Sequence, residues 1–371
     1  MKNMRKILKI NNRIVYIIIA TLCLMQAFSG CGLFGGNEEK PDKAVIEEIG
    51  ADDDADSGEE KDIPTIVIKS DEPSESFAED VTEDEKLAIE EAAAAQAEEE
   101  TASESEPPEA TVIDKLSCTN GQAVNLDPSW EYASYSKINS GSAMFYAAPE
   151  NRNGIVVGVN AGHGTKGGSS VKTYCHPDMT PKVTGGTTAA GSIEAVAVSG
   201  GMSFNNGSSE ASVNLRLAQH LRDRLLAAGY DVLMVRDGDD VQLDNIARTV
   251  ICNNVADCHI AIHFDGDGLD HDKGCFFTAV PDGLKSMPPV QSNWMMCDEL
   301  GTQIVKALSN HGFKLHNGGS MAIDLTQTSY STIPSVDVEF GNQCTDTSDE
   351  TLDRMAAATV DGIEAFFDVS N

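Results

Sequence analysis

Ile155-Val-Val-Gly-Val-Asn-Ala-Gly-His163-Gly164 is an apolar run that ends in a histidine between two glycines. Ile155 to Val159 are continuously apolar and mostly β-branched, which predicts a buried strand. The glycines allow the backbone to turn sharply around His163. We therefore expect His163 at the C-terminal edge of a strand, where the ligand sites of open α/β sheets usually form.

Beyond this strand, segments with strand patterns alternate with segments of helical periodicity. Ser208-Ser209-Glu210 offers a hydroxyl cap and an acid before apolar residues at helical spacing, and Gly229 marks the end of that helix. Further strands are predicted at 230–235, 259–264, 274–280 and 335–340, and further helices at 243–254, 291–311 and 349–367. The alternation predicts an α/β fold in one domain, a mostly parallel twisted sheet with helices on both faces.

The first 30 residues have the organisation of a secretion signal. Basic residues up to Arg13 precede an apolar core at 14–24, which is shorter than the roughly 20 residues that span a bilayer. Phe28-Ser-Gly-Cys31 resembles a bacterial lipobox, with Phe28 where leucine is usual, and predicts lipidation of Cys31; simple secretion is the alternative. The expected location is extracytoplasmic, on the cell membrane through the N-terminal lipid anchor and facing the cell wall.

Composition divides the rest of the chain. Residues 31–114 are acidic, rich in Ala and Ser and nearly without aromatic side chains, which predicts a disordered tether. Residues 115–150 place Trp130 and several tyrosines among turn formers and are interpreted as an irregular lead-in. Residues 151–371 suffice for one catalytic domain. Residues 115–371 contain 30 acidic and 16 basic residues, and their net charge of −14 argues against nucleic acid as a partner.

Residues 165–209 form an insertion rich in Gly, Ser and Thr. It starts directly after the loop of His163 and ends directly before Glu210. A structureless segment longer than about 15 residues is uncommon inside a compact domain and is often functional. We expect the insertion to lie over or beside the site that these two residues form, as a substrate platform or as a lid.

Three residues of metal-ligand type are expected at one edge of the sheet. In His259-Ile-Ala-Ile-His263 the alternation favours a strand, on which the two histidines lie about 13 Å apart and cannot share one metal. His263 is nearer the C-terminal edge and is chosen as the ligand, whereas His259 is interpreted as a core histidine. With His163 and Glu210 it makes a three-ligand set of the catalytic zinc type. Each of the three also has a purely structural explanation.

The segment 335–340 adds two carboxylates. Val336, Val338 and Phe340 share one face of this strand, and Asp337 and Glu339 share the other. An exposed polar face would explain the pair, but a late central strand is normally apolar on both faces. Glu339, which is nearer the C-terminal edge, is therefore a candidate base beside the metal site.

Six motifs, in the same order, resemble the zinc-dependent N-acetylmuramoyl-L-alanine amidases of the amidase-3 type, from about Ile155 to the C-terminus. The motifs are Asn160-Ala-Gly-His-Gly164, Glu210 with Asn214-Leu215, Gly229-Tyr-Asp-Val-Leu-Met-Val-Arg236, Arg248 with Asn254 and Ala256-Asp257, Ile260-Ala-Ile-His263, and Pro334-Ser-Val-Asp-Val-Glu339-Phe-Gly-Asn342. The resemblance implies Zn2+ held by His163, Glu210 and His263, with Glu339 as the catalytic acid/base. It implies a peptidoglycan substrate, cleaved between N-acetylmuramic acid and the L-alanine of the stem peptide.

Two features depart from the family pattern. Phe264-Asp-Gly-Asp267 follows the second histidine where a small residue and asparagine are usual, and the insertion at 165–209 is much longer than the usual link. The alternatives are a catalytically silent wall-binding lipoprotein of the same fold and another zinc amidohydrolase or peptidase. The latter is weakened because H-E-x-x-H and P-C-x-x-C are absent from the sequence.

Overall fold

The computed structural model describes residues 117–370, which are built around a mixed sheet of eight strands. The strands of this sheet are β1 Gln122–Asn125, β2 Ser142–Tyr146, β3 Val156–Ala161, β6 Asp231–Met234, β7 Cys258–Asp265, β8 Cys275–Ala279, β9 Leu315–Ala322 and β10 Ser335–Asn342; β4 Lys172–Tyr174 and β5 Glu194–Val196 pair separately. The order across the sheet is β1-β2-β6-β3-β7-β10-β8-β9, and the four neighbours β6, β3, β7 and β10 are parallel. The carboxyl ends of β3, β7 and β10 therefore meet at one edge.

Helices cover both faces of the sheet. The helices in the described part of the chain are α1 Glu210–Ala227, α2 Asn245–Val255, α3 Trp294–Asn310, α4 Thr326–Tyr330 and α5 Asp349–Ser370. Successive side chains of β3 point to opposite faces of the sheet. Val157 and Val159 pack in the hydrophobic cluster with α1, α3 and α5, whereas Val156 packs in the cluster with α2 and α4. The fold class predicted from the sequence is confirmed, and each predicted helix and strand is present within a few residues of its expected ends.

The prediction of an irregular lead-in at 115–150 was wrong in part. This segment contains β1 and β2, and β2 pairs antiparallel with β6, so the lead-in extends the main sheet. Ala143 and Phe145 are fully buried against the α2 side, next to Trp130. β2 has only five residues, too few for its own hydrophobic pattern to predict a strand. Its pairing with β6 is what places it in the sheet.

The insertion at 165–209 is not structureless. It contains the two-stranded sheet of β4 and β5 and a short 3-10 helix at Gly168–Ser170. The predicted signal peptide at 1–30, the predicted lipidation site Cys31 and the predicted tether at 31–114 lie outside the described residues. Within residues 117–370, no helix combines the length and the apolar character that crossing a bilayer requires.

Candidate metal centre

The loop after β3 brings His163 back over the end of the sheet. His163 has a φ of 63°, in the left-handed region, and lies between Gly162 and Gly164. A Cβ at Gly162 would overlap the ring of His263, so only glycine lets this loop pass so close to β7. The glycine thus permits the approach of the two imidazoles as well as the turn.

Two buried arginines hold the carbonyl groups of this loop. Arg248 donates to the carbonyl oxygens of Ala161 at 3.2 Å and His163 at 2.6 Å, and Arg236 donates to those of Ala161 at 3.1 Å and Gly162 at 2.9 Å. Burial lowers the pKa of Arg248 to about 9 and the pKa of Arg236 to about 10, so both remain charged at neutral pH. Charge-assisted hydrogen bonds within the protein therefore fix the turn.

His163, Glu210 and His263 converge on one point. Glu210 Oε1 lies 2.8 Å from His163 Nε2 and 3.1 Å from His263 Nδ1, and the candidate ligand atoms of the three residues all lie within 4.8 Å of one another. Glu210 is the first residue of α1, which Ser209 caps by accepting a hydrogen bond from the Ser212 amide. A carboxylate is favoured at this end of a helix by the helix dipole.

In its neutral form, His163 directs a lone pair at the Glu210 carboxylate. Its Nδ1 lies 2.9 Å from the Ser199 carbonyl oxygen, to which it donates, and this bond assigns Nε2 as the unprotonated nitrogen of the neutral ring. Nε2 is buried and makes no hydrogen bond to any residue between 117 and 370. Two acceptors 2.8 Å apart repel each other unless a proton or a metal ion lies between them. The cluster therefore fits a metal ion, and its two imidazoles and carboxylate are ligand types that zinc takes.

Neighbouring groups keep the Glu210 carboxylate ionised and oriented. Burial alone would raise the pKa of Glu210, but contacts with the imidazoles of His163 and His263, when these carry the proton, bring that pKa well below its usual range. Burial alone would lower the pKa of His263, but the carboxylates of Asp337 and Glu210 raise it to about 10. The Met202 amide also donates to Glu210 Oε2 at 2.9 Å. Glu210 is thus ionised and oriented within the protein.

β10 brings two further carboxylates to the same place. In the parallel register with β7, Glu339 pairs with His263 and Asp337 pairs with Ala261, so both acids are on the face of His263. Burial raises the pKa of Asp337, and burial together with the Asp337 charge raises the pKa of Glu339 well above its usual range. One oxygen of each carboxylate is buried without a hydrogen-bond partner in the described part of the chain.

A cavity of about 710 Å³ contains all of these groups. His163, Glu210, His263 and both carboxylates of β10 line its floor, and residues 185–188 and 198–202 of the insertion form one wall. Asp265 and Gly266, which follow the second histidine, also face the cavity. The insertion therefore lies beside the site, as expected from its position between two of the candidate ligands.

Asp324 fixes the insertion to the loop after β9. Its fully buried carboxylate lies 3.0 Å from His176 Nε2 and accepts a hydrogen bond from the Val183 amide at 2.7 Å. Lys182 Nζ donates to the Asp324 carbonyl oxygen. The insertion is therefore bonded to the domain at its middle, where it forms one wall of the cavity.

All the site residues predicted within the described region line one cavity: His163, Glu210, His263 and Glu339. Cys31 lies outside that region. His259 is fully buried, lies 3.3 Å from Ser335 Oγ and does not line the cavity, so its interpretation as a core histidine is confirmed.

Sequence reasoning missed two sets of contacts. It did not identify Ser199 as the partner of His163, nor Asp324 as the partner of His176 and Lys182. Both sets join irregular segments across long stretches of sequence, so periodicity carries no signal for them. Gly201 was the only visible sign in the sequence that the backbone comes close to another group there.

A mixed α/β sheet with two histidines and a glutamate at its carboxyl edge defines an α/β enzyme fold with a candidate three-ligand metal centre. Comparison with family profiles then identifies the family. Residues 157–365 match Amidase_3, described as N-acetylmuramoyl-L-alanine amidase, and the chain belongs to this family of enzymes, which act on peptidoglycan.

Solved structures of similar proteins carry the same description. The N-acetylmuramyl-L-alanine amidase Ami1 from Mycobacterium smegmatis is 20% identical, with 58% of this chain and 98% of that chain covered and a TM-score of 0.49. The apo form of Ami1 from Mycobacterium abscessus is 21% identical, with 58% and 99% covered and a TM-score of 0.46. The amidase AmiC2 of Nostoc punctiforme is 18% identical, with 59% and 99% covered and a TM-score of 0.41. A comparison with curated proteins finds no match.

Proposed function

We propose that this chain is a zinc-dependent amidase that hydrolyses the bond between N-acetylmuramic acid and the L-alanine of the stem peptide. The observation that carries the zinc dependence is the buried Nε2 of His163, which lies 2.8 Å from Glu210 Oε1 and makes no hydrogen bond to residues 117–370. Membership of the amidase family supports the choice of bond. His163 Nε2, Glu210 Oε1 and His263 Nδ1 would hold the ion.

Bound zinc would supply Lewis acidity, which polarises the amide carbonyl and acidifies water. The chain's own groups do the proton transfers. Glu339, whose pKa is raised by burial and by Asp337, takes the proton from the attacking water and returns it to the departing L-alanine amine. A carboxyl group with a raised pKa suits both steps, because it holds the proton between them.

Location is part of the same proposal. The lipobox-like segment at 28–31 supports a lipid anchor on Cys31, and the acidic residues at 31–114 support an extended tether, since like charges repel. The enzyme would then act outside the cytoplasm on the wall that faces the membrane. Replacing Cys31 by serine should release the protein from the membrane fraction, and retention of that variant would contradict the anchor.

The catalytic assignment is tested with two substitutions in the full chain. Glu339→Gln should keep zinc and lower kcat for muropeptide cleavage by about 100-fold or more, since general acid–base catalysis contributes at least that much. His163→Ala should lose zinc. Mass spectrometry of peptidoglycan fragments, with and without a chelator, identifies the bond that is cut.

Each outcome has a distinct meaning. Cleavage by the wild type that survives chelation, or full activity in either variant, would contradict the proposal. Fragments cut inside the stem peptide would identify a peptidase instead. Wall binding without any cleavage would identify a silent wall-binding lipoprotein.

A further inference from the structure

The two histidines turn different nitrogens toward Glu210. His163 faces Glu210 Oε1 with Nε2 at 2.8 Å, whereas His263 faces the same oxygen with Nδ1 at 3.1 Å. The rings are nearly perpendicular, with an interplanar angle of 87° and a centroid distance of 4.7 Å. A single cation would thus meet an Nε2 ligand from the loop after β3 and an Nδ1 ligand from β7.

Each ring faces a different oxygen on its far side, at hydrogen-bond distance for His163 and at ion-pair distance for His263. His163 Nδ1 lies 2.9 Å from the Ser199 carbonyl oxygen, which belongs to the insertion. His263 Nε2 lies 3.9 Å from Asp337 Oδ2, which belongs to β10. His163 therefore turns Nε2 toward the candidate metal position and Nδ1 away from it, whereas His263 turns Nδ1 toward that position and Nε2 away from it. The insertion contacts the outer nitrogen of His163, and β10 faces the outer nitrogen of His263.

Asp337 is an unusual residue for its position. It lies in the middle of a strand that pairs on both sides, its side chain is about nine-tenths buried, and Oδ1 makes no hydrogen bond to residues 117–370. A buried carboxylate without hydrogen bonds is costly, so a strand interior normally avoids it. The side chain that faces this carboxylate is the imidazole of His263, with Nε2 at 3.9 Å from Asp337 Oδ2.

With a cation between His263 Nδ1 and Glu210, the position of Asp337 favours a proton on the other nitrogen of His263. An N–H that faces a carboxylate is favoured over a lone pair that faces it, and at 3.9 Å this preference is electrostatic. Ligating histidines usually keep their second nitrogen protonated toward a carboxylate or a carbonyl oxygen, which fixes the ring and raises its basicity. Close packing of Gly162 against the His263 ring limits reorientation of that ring.

We propose that Asp337 is a positioning residue that keeps the proton of His263 on Nε2 and so presents Nδ1 to zinc, while Ser199 presents His163 through Nε2. This inference rests on the proposed zinc site and deepens it. Asp337 acts through His263, whereas Glu339, two residues further along β10, acts on the substrate. Of the two carboxylates of β10, Asp337 thus supports metal binding and Glu339 transfers the proton.

The test uses Asp337→Leu and Asp337→Asn in the full chain, with Asp298→Asn as the control. Leucine removes the acceptor, whereas asparagine keeps an oxygen but loses the charge. Asp298 is an acid outside the cavity that accepts a hydrogen bond from the Val280 amide, so its replacement reports general destabilisation. Competition with a chelator measures zinc affinity, and 15N NMR of labelled histidine in the zinc-loaded protein shows which nitrogen binds the ion.

We expect zinc affinity to fall about 10- to 100-fold in Asp337→Leu, by less in Asp337→Asn, and not at all in the control. The wild-type spectrum should show His163 bound through Nε2 and His263 through Nδ1, with the His263 signal assigned by its loss in His263→Gln. In Asp337→Leu the His263 pattern should change while that of His163 stays. A merely structural role of Asp337 would not change one histidine selectively.

Other results separate this inference from the proposed function. Zinc binding and cleavage by the wild type, together with an unchanged affinity and an unchanged nitrogen pattern in Asp337→Leu and Asp337→Asn, would overturn the role of Asp337 alone. Binding of His263 through Nε2 in the wild type would do the same. A wild-type protein that binds no zinc would overturn the proposed function as well. If Asp337→Leu does not fold, Asp337→Asn decides.

Discussion

Replacing Gly201 by alanine measures how closely the insertion packs on the metal-ligand cluster. Gly201 has a φ of 78°, and a Cβ there would lie 2.6 Å from His163 Cδ2 and 2.9 Å from Glu210 Oε2. The left-handed backbone costs about 1–2 kcal/mol with alanine, and overpacking typically costs about 1–3 kcal/mol. We expect the free energy of unfolding to fall by about 2–5 kcal/mol, and zinc affinity to fall because the overlap displaces two of the proposed ligands.

Two other glycines separate these contributions. Gly167 has a φ of 80°, whereas the backbone of Gly200 is not left-handed, and a Cβ at either position would have no atom of the described residues within 4 Å. Gly167→Ala therefore carries the backbone cost alone, and Gly200→Ala carries neither cost. Urea unfolding followed by circular dichroism gives the stabilities, and chelator competition gives the zinc affinities. If Gly201→Ala matched Gly167→Ala in both measurements, the reasoning would be refuted.

Two further perturbations test the core and the insertion. Burial, and to a smaller extent the charge of Arg248, lower the pKa of the buried His259 from 6.5 to about 3. Between pH 6.5 and pH 3 the unfolded chain therefore protonates His259 and the folded chain does not. The free energy of unfolding consequently falls as the pH falls through this range. Between pH 7 and pH 4, His259→Leu should lose about 3 kcal/mol less unfolding free energy than the wild type, and equal losses in urea titrations would contradict this. Asp324→Ala leaves His176 and the Val183 amide without their acceptor, at about 1–3 kcal/mol each. Protease cleavage within 176–193 should therefore accelerate about 10-fold or more, whereas replacing the exposed Glu194 by alanine should change it little.

The central fold was predictable because its signals are local. The β-branched run at 155–159 and the alternation at 259–263 specify strands, and the cap at Ser209 specifies the start of α1. Parallel strands place their carboxyl ends at one edge, which is sufficient to bring His163 and His263 together. The candidate ligands follow from topology and residue type.

The outer strands were not predictable in the same way. The edge strand β9 includes Asn317, Gly318 and Gly319, which all have positive φ, and the register of β9 with β8 shifts at these residues. The sequence of this segment therefore has the composition of a turn, although the segment lies within a strand. β1 and β2 are short and obtain their partners from β6, far along the chain. Contacts such as Ser199 with His163 depend on how irregular backbone is folded, which a hydrophobic pattern does not encode.

The hydrogen bonds that Arg236 and Arg248 donate to the loop after β3 have a kinetic consequence for metal exchange. They hold the carbonyls of Ala161, Gly162 and His163 by themselves, so the shape of the ligand loop does not depend on an ion. Zinc would enter a preorganised site through the open cavity, without waiting for a segment to fold. Stripping and reloading the ion should then switch the amidase off and on in a folded protein, at the rate at which metal diffuses in and ligands exchange.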